Sequence, residues 1–206
     1  MNFEFARENM VKQQVLIEGL SLDGVASIMA DIPRERFLPK EIQNLAYCDT
    51  NLVFGDRELR SPTLTARMIE ALDVQPDSTV LKLGLECGYP VALLAKMAKN
   101  VELVDYSEDR LATAKIQLAE LGIDNVDFIN AEVIPEKIAN KQKYTHIYIS
   151  DVLDSKELDE SLLELLDLNG RVVFVVRTEI CDKVYLATKT AKDKYETMFL
   201  FDTYNK

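Results

Sequence analysis

The chain has 206 residues, 48% of them hydrophobic and 29% charged, with a formal charge of −11; this is the composition of a globular domain with ample material for a core. An acidic surface repels phosphate backbones and acidic headgroups, so neither nucleic acid nor a membrane surface is an expected partner. Three scattered cysteines and a single histidine exclude a disulfide framework and most histidine-based metal sites.

In chain order, Phe3, Val11, Val15 and Leu16 approximate a helical stripe that closes near Gly19. Ser21 or Asp23 can cap a second helix running through Ala30, which Pro33 stops. Residues 46–60 read as a long polar connection around Gly55, without strands, of the kind that often carries function. From Leu64 the grammar changes. Residues 65–72 read as a helix, 75–77 as a turn and 79–83 as a short apolar strand. A helix over 88–98 is apolar on nearly every side, with Pro90 in its first turn. A strand at 101–104, an amphipathic helix at 107–121 and a strand at 126–129 follow. Then come a strand at 146–149, a helix at 157–166, and an Asn169-Gly170 turn into an apolar strand at 171–176. Residues 183–188 and 196–201 suggest a closing antiparallel pair.

Strands alternating with helices predict an α/β fold, an open, doubly wound and mostly parallel sheet. Residues 1–60 are expected to form an N-terminal helical region with a loop, and 61–206 the α/β domain. No apolar run approaches the roughly 18–20 residues of a membrane span, and the first residues do not resemble a secretory signal, so a cytoplasmic location is expected.

In such a sheet ligands bind beyond the carboxyl ends of the strands. That selects three tips: residues 82–88, Asp105, and residues 130–132. The first reads K-L-G-L-E-C-G. The dinucleotide fingerprint G-x-G-x-x-G fails there, because only Gly84 fits and Glu86 and Tyr89 hold the other positions. A nicotinamide-dependent oxidoreductase is therefore disfavoured.

The same tip resembles the first motif of S-adenosylmethionine-dependent methyltransferases, G-x-G-x-G, with Glu86 in place of the middle glycine. The segments A-R-E-N-M-V-K-Q-Q-V (6–15), I-P-R-E-R-F-L-P-K-E (32–41), L-A-Y-C-D-T (45–50), A-R-M-I-E-A-L-D-V-Q-P-D-S-T-V-L (66–81) and G-Y-P-V-A-L-L-A (88–95) resemble protein-L-isoaspartate O-methyltransferases. The resemblance implies a Rossmann-like methyltransferase sheet and a protein-repair activity. In it a methyl group passes from S-adenosylmethionine to the side carboxylate of isoaspartyl residues in damaged proteins or peptides. It also implies cofactor contacts at Gly84, Glu86, Gly88, Asp105 (ribose hydroxyls) and Glu132 (adenine side), and catalytic positions at Arg60 and Ser61. A carboxylate attacking a sulfonium methyl needs placement more than activation, which suits a chain with one histidine.

Several positions depart from the family pattern. Lys82 stands where the family carries an acid, and Glu86 where it carries a glycine. Asn130-Ala131-Glu132 replaces Gly-Asp-Gly. In the substrate loop E-L-R-S-P, Arg60 takes the place of a serine, with Ser61 one step later. A guanidinium there can grip a carboxylate bidentately, or be a solvated loop charge. Glu86 is expected to accept from N–H groups around Cys87 to Tyr89, and Lys82 to pair with Glu86 or Asp105. Cys87 is either a thiol activated by a helix N-terminus or a small residue in a tight turn, and His146 is read as packing at the start of its strand. These changes leave a second reading beside the enzyme, a non-catalytic pseudo-methyltransferase that serves as a binding or scaffold protein. The oligomeric state stays open.

Overall fold

The computed structural model describes residues 2–133, 140, 143–192 and 194–203. The chain opens on α1 (Phe3–Met10), which Asn2 caps by accepting the Phe5 N–H at 3.1 Å. The helix widens into a π-helical segment (Val11–Val15), tightens into a 3-10 turn (Leu16–Glu18), and ends at left-handed Gly19, φ +83°. The second helix, α2 (Val25–Asp31), starts at Gly24 without a side-chain cap. The expected cap at Ser21 or Asp23 is not made, because Ser21 Oγ takes the Asp23 N–H (3.2 Å) within the preceding turn. Ile32 is extended, as a residue before proline should be.

The connection at 46–60, expected to be without strands, carries a hairpin. β1 (Leu52–Phe54) and β2 (Arg57–Leu59) pair antiparallel around Gly55, φ +61°. Three residues per strand are too few to show an alternation. What anchors them is the apolar pair Leu52 and Leu59, opposite one another and both buried. Helix α3 (Pro62–Leu72) follows with proline at its first position and Ser61 as its cap.

The large sheet has seven strands in the order β5-β4-β3-β6-β7-β8-β9. β3 (Thr79–Leu83), β4 (Asn100–Asp105), β5 (Val126–Asn130), β6 (Tyr144–Leu153) and β7 (Leu166–Val176) run parallel, and β8 (Asp182–Ala191) and β9 (Lys194–Thr203) close it antiparallel. Leu81, Val101, Ile147 and Val172 are fully buried, as a sheet covered on both faces requires. Helix α4 (Gly88–Met97) lies in the core on nearly every side, and α5 (Glu108–Glu120) is capped by Ser107 with acids in its first turn.

Two boundaries differ from expectation. The helix expected over 157–166 is only α6 (Glu160–Glu164), because Leu166 already belongs to β7. Asn169 (φ +65°) and Gly170 do not turn the chain into that strand but bulge it from within. A side chain on Gly170 would come within 2.8 Å of the Thr145 carbonyl, so the close strand approach selects glycine.

The N-terminal helices share one hydrophobic core with the sheet. Val11, Val15 and Met29 are in the same buried cluster as Met68, Leu94 and Val101. Among the described residues no helix is long and apolar enough to cross a membrane.

Candidate cofactor and substrate cleft

A cleft of about 1170 Å³ opens at the carboxyl ends of β3, β4 and β6, where strand order reverses on either side of β3 and an open parallel sheet offers a ligand its place. It gathers Arg60, Gly84, Glu86, Asp105 and Glu132 from the residues singled out in the sequence. Ser61 and Gly88 are not in it. Ser61 Oγ caps α3 by accepting the Leu64 N–H (3.3 Å), and a Cβ on Gly88 would press on the Phe37 ring at 2.9 Å.

At one end of the cleft stands Asp105, the last residue of β4. Its Oδ2 accepts the Leu85 N–H (2.9 Å), which ties the β3 loop to the β4 tip. Its Oδ1 accepts from the Ser107 N–H (2.8 Å) and from Arg110 Nε and Nη2 (3.0 and 2.8 Å). Gly84 sits between the tips at φ +77°, where a Cβ would meet Ser150 Cβ at 3.2 Å and the Asp151 carboxylate at 3.3 Å. Both the backbone conformation and the space therefore demand glycine.

At the other end, Glu86 points away from the helix it was expected to cap. Cys87, the N-cap of α4, makes no side-chain cap bond, and no bond from Glu86 to the helix replaces it. Glu86 accepts instead from Arg60 Nη1 through Oε1 and from Lys82 Nζ (3.3 Å) through Oε2. Arg60 also donates to the Ser150 carbonyl. Lys82 also donates to the Gly84 carbonyl (3.0 Å) and to Ser150 Oγ, and its ammonium lies 4.6 Å from the centre of the Tyr148 ring. All three side chains are buried, Lys82 entirely. Of the two partners expected for Lys82, the structure selects Glu86. Arg60 is thus no solvated loop charge. Its backbone carbonyl is held in turn by the fully buried Arg34 (2.5 Å), which ties the helical region to the cleft.

Burial pushes the Lys82 ammonium below the ordinary lysine range, and Glu86 only partly offsets this. For Arg60, burial pulls down but Glu86 and Tyr148 outweigh it and hold the guanidinium firmly charged. Burial pushes the Cys87 thiol up to about 12, so Cys87 is an inert residue in a tight turn and not a nucleophile.

Arg34, Arg110 and Ser150 were not singled out from the sequence. Ser150 lies on β6 at the carboxyl end of the sheet, a fourth tip beside the three that were read. Arg110 follows Asp105 by five residues, in the first turn of α5, and Arg34 lies inside I-P-R-E-R, where nothing in its spacing distinguishes a buried arginine from a solvated one.

Topology and cleft together define a Rossmann-like fold of the methyltransferase class. A solved protein-L-isoaspartate O-methyltransferase superimposes with TM-score 0.74 at 24% identity, over 97% of this chain and 66% of that longer one. A Plasmodium falciparum structure described by the same activity, in complex with S-adenosyl-L-homocysteine, gives TM-score 0.75 at 19% identity over 100% and 99% of the two chains. The sequence model of the protein-L-isoaspartate(D-aspartate) O-methyltransferase family matches residues 6–203, so the chain belongs to that family. The Picosynechococcus enzyme of that name is 31% identical over 91% of this chain and 83% of its own, and the one from Methanoculleus marisnigri 29% identical over 89% and 82%.

The family uses S-adenosylmethionine, and the cleft fits that cofactor unevenly. Gly84 leaves the backbone open to close approach, and Asp105 stands at the strand tip where ribose hydroxyls would be met. The amino-acid end does not fit as it stands, because Glu86 fills the glycine position and its carboxylate has taken both buried cations.

Proposed function

We propose that the chain acts on the side carboxylate of isoaspartyl residues in damaged proteins or peptides, the methyl acceptor of its family, and that it does so slowly. Arg60 carries this reading. It brings a guanidinium from the end of the hairpin to the floor of the cleft, and in the structure that guanidinium already holds a carboxylate. When bound, S-adenosylmethionine supplies a methyl group on sulfur. This chain's part is to grip and orient the acceptor carboxylate through Arg60, to hold ribose hydroxyls at Asp105, and to meet the adenine side near Glu132. Residues 1–60 form the substrate-side cover over an α/β domain of residues 61–206, and the setting is cytoplasmic. Because Arg60 is bound to Glu86, the acceptor has to displace an internal carboxylate, which slows the reaction.

The reading to test against this one is the alternative drawn from the sequence, a member of the family that binds carboxylate-bearing peptides without turning them over. An isoaspartyl peptide and its aspartyl twin, incubated with labelled S-adenosylmethionine, distinguish the two. Methyl transfer to the isoaspartyl peptide alone supports the enzyme. Selective peptide binding without transfer supports the binding protein, and neither binding nor transfer removes both readings.

A further inference from the structure

We propose that Glu86 occupies the amino-acid end of the cleft as an internal carboxylate, so that the cleft takes an adenine nucleoside without an amino-acid tail in preference to one that carries the tail. The inference rests on reading the cleft as an S-adenosylmethionine site.

The lysine of the cluster is saturated. The Lys82 ammonium has three N–H donors, and they go to the Gly84 carbonyl, Ser150 Oγ and Glu86 Oε2. The Ser150 hydroxyl donates to the same Gly84 carbonyl at 3.0 Å. Each Glu86 oxygen faces one buried cation. A ligand carboxylate arriving here finds no lysine donor left, a like charge already in place, and a side chain where a glycine would leave room. To bind, it must break a buried ion pair and then desolvate itself, which is costly on both counts.

At Asp105 the block is partial: Oδ1 is filled by the Ser107 N–H and by Arg110, but Oδ2 carries only the Leu85 N–H and can accept again. Asp105 is tied to backbone N–H groups and to Arg110, not to Glu86, and Gly84 keeps its φ of +77°. The full obstruction is therefore local to the tail and leaves the nucleoside an acceptor at Asp105.

Calorimetry tests this with two probes that share the thioether nucleoside and differ in the tail, S-adenosylhomocysteine and 5′-methylthioadenosine. For the unmodified protein the tail-less probe is expected to bind at least tenfold more tightly. In Glu86→Gly, and in Glu86→Gly with Lys82→Met, which removes the internal carboxylate together with one of the two cations it pairs, S-adenosylhomocysteine should gain at least tenfold while 5′-methylthioadenosine changes less than threefold. Equal or tighter binding of S-adenosylhomocysteine by the unmodified protein overturns the proposal, and that comparison stands even if the variants fail to fold. Absence of the gain in folded variants that still bind 5′-methylthioadenosine overturns the plug and leaves the cofactor reading intact. If neither nucleoside binds any of the proteins, the cofactor reading falls and takes the plug with it.

Discussion

The cleft holds two buried carboxylates at strand tips, and they are tied down in different ways. Asp105, 4% exposed, is held mainly by main-chain amides, those of Ser107 and of Leu85 in the β3 loop, with the half-buried Arg110 five residues on. Glu86, 9% exposed, is held by cations from two separate segments, Arg60 before α3 and Lys82 on β3, and both of these also bind Ser150 on β6. The first arrangement organises a loop and leaves Asp105 Oδ2 with one donor, the Leu85 N–H, so that a hydroxyl can still be met there. The second joins three segments through charge and leaves no such place. Substituting the glycine of a ligand loop by glutamate thus does more than add bulk, because it supplies a counter-charge for Arg60 and Lys82. A lysine and an arginine this deeply buried are costly without such a partner.

The comparison is broken most directly at Glu86. Glu86→Ala leaves two buried cations without their shared anion, and should cost about 3–5 kcal/mol, the scale for removing one side of a buried pair. Since the cluster is buried, this exceeds what an exposed pair would give. In a chain of this size the melting temperature should fall by about 6 °C or more. Asp105→Asn is the matched change at the other end. It keeps an acceptor for an amide and loses the charge facing Arg110, which is 26% exposed and so partly screened. The expected cost is about 1 kcal/mol in urea unfolding. Equal losses in the two variants would show that the two ends are anchored alike.

This contrast also marks how far the sequence could be read. The alternation from β3 to β5 was plain, because parallel strands covered on both faces are short apolar runs and their connecting helices carry caps such as Ser107. The positions of Gly84, Asp105, Arg60 and Glu86 around one cleft followed from the rule for strand tips and from the family's motifs. The direction of the Glu86 side chain did not. A glutamate before a helix can serve the helix end or a cation elsewhere, and the choice was made by Arg60, 26 residues away in sequence, whose burial depends on Arg34 and the hairpin. That hairpin was itself invisible, since three-residue strands carry no period. The Asn169-Gly170 pair misled for a related reason. Its turn chemistry is real, but the neighbouring strand, at Thr145, makes it a bulge.

The smallest effect lies outside the cleft, on the strand that supplies Ser150. His146 starts four residues earlier on β6, paired in register with Arg171 and with its Nδ1 2.9 Å from Thr145 Oγ1. Burial, with the Arg171 cation beside it, holds the imidazole below its ordinary value of 6.5. Below that value the unfolded chain takes up a proton that the folded chain resists. The stability tied to neutral His146 is therefore complete above pH 6.5 and is lost as the pH falls through the folded value. Between about pH 7.5 and 5.5 the unfolding free energy of the parent, read from urea melts, should decline by under about 1 kcal/mol for a single partly buried group. His146→Asn should flatten that decline and leave nucleoside binding unchanged. If the slope survives in His146→Asn, the acid response does not belong to His146.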